Sequence, residues 1–128
     1  MNELNNFDTI LAEVLVGIAE RWAQQFITDG LKTNQVRNFF SAVAKMRQDF
    51  EKSKGDFASI RTDLVMLKPK LAYAAGRQLA VRLHFQPFMT HAIEAVSRAT
   101  NQGDAVRNFF LLVESVVAYH KFYGGRDN

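Results

Sequence analysis

The chain has no cysteine, and only two prolines and seven glycines occur among its 128 residues. Without cysteine it cannot form a disulfide, a thiolate zinc site or a cysteine nucleophile. The scarcity of proline and glycine favours long helices over strands and turns. No apolar run approaches the roughly 20 residues that a membrane-spanning helix needs, and the acidic residues 1–31 do not resemble a signal peptide. We therefore expect a soluble, cytoplasmic, helical protein.

Motifs for catalysis and for cofactor binding are also missing. The three histidines, His84, His91 and His120, lack the i, i+4 spacing of a helical metal site. No glycine-rich phosphate loop, nucleophile elbow or carboxylate cluster occurs. His84 and His91 are expected at helix surfaces, and His120 near a helix end where a positive charge suits the helix dipole. We expect no enzymatic activity, no metal and no cofactor.

Apolar residues recur at three- and four-residue spacing in six segments. The predicted helices span residues 8–29, 34–52, 56–68, 69–85, 86–99 and 105–123. Their proposed caps are Asp8, Thr33, Asp56 and Asp104. Pro69 is expected to end or kink the third helix, and Gly30 and Gly124 to follow helix ends. The very apolar sixth helix is expected at the centre. In the fourth helix the residues expected to face one way, towards the core, are Leu71, Ala72, Ala75, Gly76, Leu79 and Leu83.

These helices predict an all-α fold, a compact bundle of five or six helices. We expect a single domain over residues 1–128, with residues 1–7 as a candidate disordered segment and residues 124–128 as a flexible tail. The pentapeptide Val-Arg-Asn-Phe-Phe occurs twice, at residues 36–40 and 106–110. Because the surrounding residues differ, coincidence or a shared way of starting a helix is favoured over duplication of a three-helix unit.

The net charge of +3 is unevenly distributed. Residues 1–31 hold five acids and one base, whereas residues 64–93 hold four bases and no acid. On the predicted second helix Arg37, Lys45 and Lys52 lie within about 80° of one another. Cations spaced along a surface suit a polynucleotide backbone, and Tyr73, between Lys70 and Arg77, could stack on a base. The alternative is that these residues only keep the bundle soluble.

Two segments resemble motifs of the small subunit of type III-A CRISPR effector complexes, the Csm complexes. They are residues 31–40, Leu-Lys-Thr-Asn-Gln-Val-Arg-Asn-Phe-Phe, and residues 67–77, Leu-Lys-Pro-Lys-Leu-Ala-Tyr-Ala-Ala-Gly-Arg. The run 114–119, followed by Lys121 and the glycines at 124 and 125, is similar to the end of that family's sequences. The resemblance covers nearly the whole chain.

This resemblance implies a non-catalytic helical subunit of a ribonucleoprotein. Several copies would line its inner filament and contact target RNA through phosphates, with the guide RNA and the other subunits as further partners. Target cleavage, cyclic-oligoadenylate synthesis and DNA-directed activity would belong to those other subunits. The implied RNA contacts are Arg37, Lys68, Lys70 and Arg77. The helical projection adds Lys45, Lys52 and Lys54, and Phe39 is expected to be a packing residue.

A second hypothesis is a protein–protein interaction module without direct nucleic-acid binding. The large apolar content and the small residues 74–76, Ala-Ala-Gly, make a homodimeric adaptor plausible, including exchange of helices between copies.

Overall fold

Five α-helices contain most of residues 2–127, the part of the chain that the computed structural model describes. They are α1 (Ala12–Thr28), α2 (Thr33–Lys52), α3 (Arg61–Arg77), α4 (Gln86–Ser97) and α5 (Gln102–Phe122). No strand occurs within these described residues. The predicted all-α fold of five or six helices is confirmed, with five.

The four residues predicted as helix caps, Asp8, Thr33, Asp56 and Asp104, do not cap the α-helices assigned to them. Asp8 lies in a short 3-10 turn, Phe7–Thr9, and its carboxylate accepts the Asn101 N–H at 3.0 Å, so α1 begins only at Ala12. Asp56 caps another short turn, Phe57–Ser59, through the Ala58 N–H at 3.1 Å, and α3 begins at Arg61.

The residue that caps α5 also differs from the prediction. The side chain of Asn101 accepts the Asp104 N–H at 3.0 Å, so Asn101 is the cap and Asp104 belongs to the first turn. Thr33 is likewise the first residue of α2 rather than its cap, which is Lys32. The predicted stop at Gly30 is confirmed, since Gly30 has a positive φ of 86° and its N–H donates to the Ile27 carbonyl at 2.9 Å.

The predicted fourth helix over residues 69–85 is wrong. Pro69 lies inside α3, on its exposed side, where water can replace the missing hydrogen bond. The helix ends instead at Arg77, because Gln78 is extended (φ −137°, ψ 121°). Residues Val81–Phe85 then form a π-helical turn that continues directly into α4. Because the helical period changes here, Val81 and Phe85 are buried instead of the predicted Leu79 and Leu83. Leu79 is 57% exposed and Leu83 is 45% exposed.

The core is organised around α5, which packs against α1, α2 and α4. This confirms its predicted central position. Its Phe109 meets no solvent, and the rings of Phe26 and Phe88 are equally buried. Before α1, Leu4 and Phe7 are also buried in the core. The domain boundaries, with disorder in 1–7 and a flexible tail over 124–128, stay a prediction, and Met1 and Asn128 lie outside the described residues.

The α2 and α3 helices are held by different neighbours. α2 packs on α5, whereas α3 packs on α4 and on the π-helical turn. A groove remains open between them. Among the described helices, none is both long and apolar enough to cross a membrane.

Candidate nucleic-acid interface

The groove between α2 and α3 has a volume of about 300 Å³. Its floor is apolar and includes Phe39, Leu71 and Phe85. Phe39 is buried and meets Phe85 edge-on, with ring centroids 5.4 Å apart, so its expected packing role is confirmed. The polar residues of its lining are Gln35, Asn38, Gln78 and Lys70. This lining contains one cation and no acid.

The groove continues towards the C-terminal end of α2, where Lys45 and Lys70 line the same hollow. Two acids, Asp49 and Asp63, also line this part. Lys45 pairs with Asp49 at 3.5 Å; the Lys45 side chain is largely exposed and that of Asp49 partly exposed, so the pair is weak and exchangeable. Lys70 makes no ion pair with any residue between 2 and 127. The structure thus brings together two predicted RNA contacts from different helices.

Tyr73 and Arg77 extend the row of Lys70 along α3. Positions 70 and 77 lie two helical turns apart and share a face. The Arg77 guanidinium lies 5.7 Å from the Tyr73 ring centroid, and its Nη1 donates to the Tyr73 hydroxyl at 3.3 Å. Tyr73 is 67% exposed. The ring therefore holds the guanidinium in place while both groups face solvent.

Arg37 and Lys52 lie on the exposed outer side of α2, outside the groove lining. Neither forms an ion pair with the described part of the chain. They lie within about 60° of each other in helical projection.

The structure separates Lys68 from Lys70. Lys68 is half-buried and forms an ion pair with Glu94 of α4 at 3.2 Å. It projects about 160° away from Lys70 around α3. The stretch 64–93 therefore does not present its basic residues on one face.

Lys54 lies apart from the groove, just after α2. Its φ of 60° is left-handed, a conformation that glycine adopts more easily. Its N–H donates to the Glu51 carbonyl at 3.0 Å and closes the end of α2. Lys54 lines a second pocket with Arg47 and Arg107. Sequence reasoning missed these two arginines, although the repeat of Arg37 at Arg107 was a signal for one of them.

His120 is buried at 1% exposure, contrary to the expectation of a charged imidazole. Its Nε2 lies 2.9 Å from the Leu31 carbonyl, so that nitrogen carries the proton, and Nδ1 has no hydrogen-bond partner among the described residues. Burial lowers the pKa of His120; the hydrogen bond to Leu31 opposes the decrease and Lys121 adds to it. The imidazole is therefore neutral.

His84 is partly exposed, and its Nδ1 lies 2.7 Å from the Asp29 carboxylate. Over residues 2–127, no group of three or more histidine and acidic side chains could hold a metal ion.

The family model of Csm2 Type III-A matches residues 11–126, which include all five helices and every candidate RNA contact. The chain belongs to this family. It is therefore a subunit of a type III-A Csm effector complex, and other subunits of that complex are its partners.

Two curated relatives agree with this assignment. The Streptococcus thermophilus protein named CRISPR system Cms protein Csm2 is 29% identical over 97 residues, which cover 76% of each chain. A protein of the same name from Enterococcus italicus is 29% identical over 97 residues, covering 74% of this chain and 69% of the relative. No solved structure matches the chain.

Proposed function

We propose that the chain is a non-catalytic RNA-binding and assembly subunit of a type III-A CRISPR interference ribonucleoprotein. It lines the filament in several copies and contacts the backbone of the target RNA. Its partners are the target RNA, the guide RNA backbone, the other Csm subunits and further copies of itself, in the cytoplasm. The catalytic steps belong to other subunits.

One observation carries this proposal: Lys70 and Arg77 form an exposed row along the α2–α3 groove, and neither pairs with a carboxylate of residues 2–127. A cation without such a partner can neutralise a phosphate without first breaking an ion pair, and each neutralised phosphate releases a counterion. Arg37 provides a further exposed cation on the outer side of α2. Contacts of this kind read no base sequence.

The remaining candidates rank below these three. Lys52 is exposed but lies at the opposite end of α2 from Arg37. Lys45 must give up its ion pair with Asp49 before it can bind a phosphate. Lys68 must leave Glu94, from which it is separated by 3.2 Å. Lys54 belongs to a different side of α2. We therefore expect Arg37, Lys70 and Arg77 to contribute most to the free energy of RNA binding.

The test is equilibrium binding of a fluorescein-labelled single-stranded RNA at low salt. The double variant Arg37→Ala/Arg77→Ala should bind about tenfold more weakly, because two charged contacts are lost. Its control is Arg21→Ala/Arg98→Ala, which removes the same charge from α1 and the end of α4, away from the groove. Equal affinity of wild type and the Arg37/Arg77 variant, at unchanged melting temperature, would exclude this surface as the RNA site.

The competing hypothesis is a homodimeric adaptor without direct nucleic-acid binding. The exposed Leu79 and Leu83, just after α3, are the observation that favours it. Size-exclusion chromatography separates the two hypotheses. A protein that elutes as a dimer, with a volume that RNA does not change at low salt, would favour the adaptor.

A further inference from the structure

A second pocket lies on the other side of α2, between its C-terminal half, the loop after it and α5. Its volume is about 390 Å³. Its apolar lining is Phe50, Phe110 and Leu111. Its charged lining is Arg47, Lys54 and Arg107 with the single acid Glu51. Arg47 projects about 160° from Lys45 around α2, so this pocket is separate from the groove.

Arg107 is fitted closely into the pocket wall. Its guanidinium carbon lies 5.1 Å from the Phe50 ring centroid, and Asp104 accepts from its Nη1 at 3.1 Å. A Cβ on Gly55 would come within 2.6 Å of its Nη2. Position 55 favours glycine because of its left-handed φ of 83°, and a Cβ there would require the Arg107 guanidinium to move.

The Arg47 guanidinium, on the opposite wall of the pocket, also lies over an aromatic ring. Its guanidinium carbon lies 5.9 Å from the Phe110 ring centroid. Its ion pairs with Glu51 and Glu114 are both long, at 3.5 Å, and partly exposed. Such contacts exchange readily for a better anion. Stacking on the rings holds each guanidinium plane and leaves its N–H edge available.

Lys54 adds a third cation to the pocket lining. Its left-handed backbone is a conformation that disfavours lysine and favours glycine. A strained residue at this position is expected where its side chain has a function that glycine could not supply.

We propose that this pocket binds a phosphate group of single-stranded RNA, as a second contact on the face opposite the α2–α3 groove. Two guanidinium edges and one ammonium provide donors for several oxygens of one tetrahedral anion. The apolar side chain of Leu111, which is exposed, is available to the adjoining sugar or base. The identity of the polymer rests on the proposed function, whereas the anion site does not.

The experiment follows the Arg Nε–Hε signals of ¹⁵N-labelled full-length protein during titration with sodium pyrophosphate and then with a short single-stranded RNA. The signals of Arg47 and Arg107 should shift and saturate with both probes. Arg107→Gln should weaken pyrophosphate binding about tenfold. The matched control is Arg61→Gln: Arg61 also stacks on a ring, Phe57, at 5.4 Å, but lies outside the pocket lining. This control should bind like wild type.

Lys54→Gly provides a second variant whose folding is not at risk, because glycine suits the left-handed backbone. It should also weaken pyrophosphate binding. The proposal is overturned if the Arg47 and Arg107 signals do not saturate, if Arg61→Gln weakens binding as much as Arg107→Gln, or if hexaglutamate binds as tightly as pyrophosphate. Pyrophosphate binding should persist in Arg37→Ala/Arg77→Ala, so failure of the groove surface and failure of this pocket give different results.

Discussion

The pentapeptide Val-Arg-Asn-Phe-Phe begins two helices of this protein, α2 at residues 36–40 and α5 at residues 106–110, in very different surroundings. In both copies the valine and the first phenylalanine are buried and the arginine is exposed. In α5 the second phenylalanine, Phe110, is also buried, whereas Phe40 of α2 is only half-buried. The difference arises because α5 has helices on several sides, whereas Phe40 lines a hollow with Arg47 and Phe110 that remains open to solvent.

The polar residues also differ between the two copies: those of α5 have partners within the protein, whereas those of α2 are exposed. Asn108 donates to the Phe7 carbonyl at 2.9 Å and so attaches the N-terminal segment to α5. Asn38 is exposed and lines the groove. Arg107 is stacked and ion-paired, while Arg37 makes no ion pair with the described residues. The pattern determines where a helix begins and which side faces inward, but the neighbouring elements determine which contacts each polar side chain makes within the protein.

The largest expected difference in stability is between variants of Phe109 and Phe39, the first phenylalanine of each copy. Phe109→Ala should lower the free energy of unfolding by about 3–5 kcal/mol, because it leaves a closed cavity. Phe39→Ala should cost only about 2 kcal/mol, since Phe39 is 9% exposed at the groove and water can enter the space. Urea denaturation of both variants measures the difference. Equal losses would show that the groove is not open in solution.

The second test compares how the two helices are held at their starts, and it depends on pH. The Thr33 N–H of α2 donates to the Arg126 carbonyl at 2.7 Å, and the tail that carries this carbonyl packs over His120 through Gly125. The charged group that acts on His120 is Lys121, its neighbour in α5.

The native state holds His120 neutral with a lowered pKa, whereas the unfolded chain binds a proton near pH 6.5. The stability from the neutral imidazole is thus complete above pH 6.5 and is lost as the pH falls towards the native pKa, by at most about 1.4 kcal/mol per pH unit. His120→Gln should flatten this dependence. The protection factor for hydrogen exchange, which corrects for the slower intrinsic exchange at low pH, should fall on acidification at the Thr33 amide but not at the Asp104 amide, which Asn101 holds. An equal fall in the protection factors of both amides would contradict this account.

The fold was largely predictable from the sequence, and the errors of that prediction have identifiable causes. Helical spacing identified the inward residues Val36, Phe39, Leu64 and Phe109, because that spacing depends only on helix geometry. The cap at Asp8 was wrong because its carboxylate binds Asn101, 93 positions away in the sequence. The π-helical turn at Val81–Phe85 was missed because it changes the helical period without any proline or glycine.

The candidate interface was less predictable than the fold. Exposure of Arg37, Lys70 and Arg77 followed from their helix faces. The pairing of Lys68 with Glu94 did not, because it depends on how α3 packs against α4. The association of Arg47, Lys54 and Arg107 was also hidden, since it requires α2 and α5 to be adjacent.

The smallest changes in stability are expected for variants of Asn108 and Asn38, the asparagines of the two copies. Asn108→Ala should lower the free energy of unfolding by about 1–2 kcal/mol, because the Phe7 carbonyl loses its donor. Asn38→Ala should change it by less than about 0.5 kcal/mol, as expected for an exposed residue. Thermal melting of the two variants side by side checks this. A similar loss in both would mean that Asn38 has a structural partner.

The salt dependence of RNA binding tests the central claim most directly. Each phosphate contact with a single strand contributes about 0.7 to the slope of log K against log salt concentration. The triple variant Arg37→Ala/Lys70→Ala/Arg77→Ala should therefore have a slope that is smaller by about 2 than that of the wild type. Asn108→Ala, which removes no charge, should retain the wild-type slope. An unchanged slope in the triple variant would contradict the proposal that RNA phosphates lie along this surface.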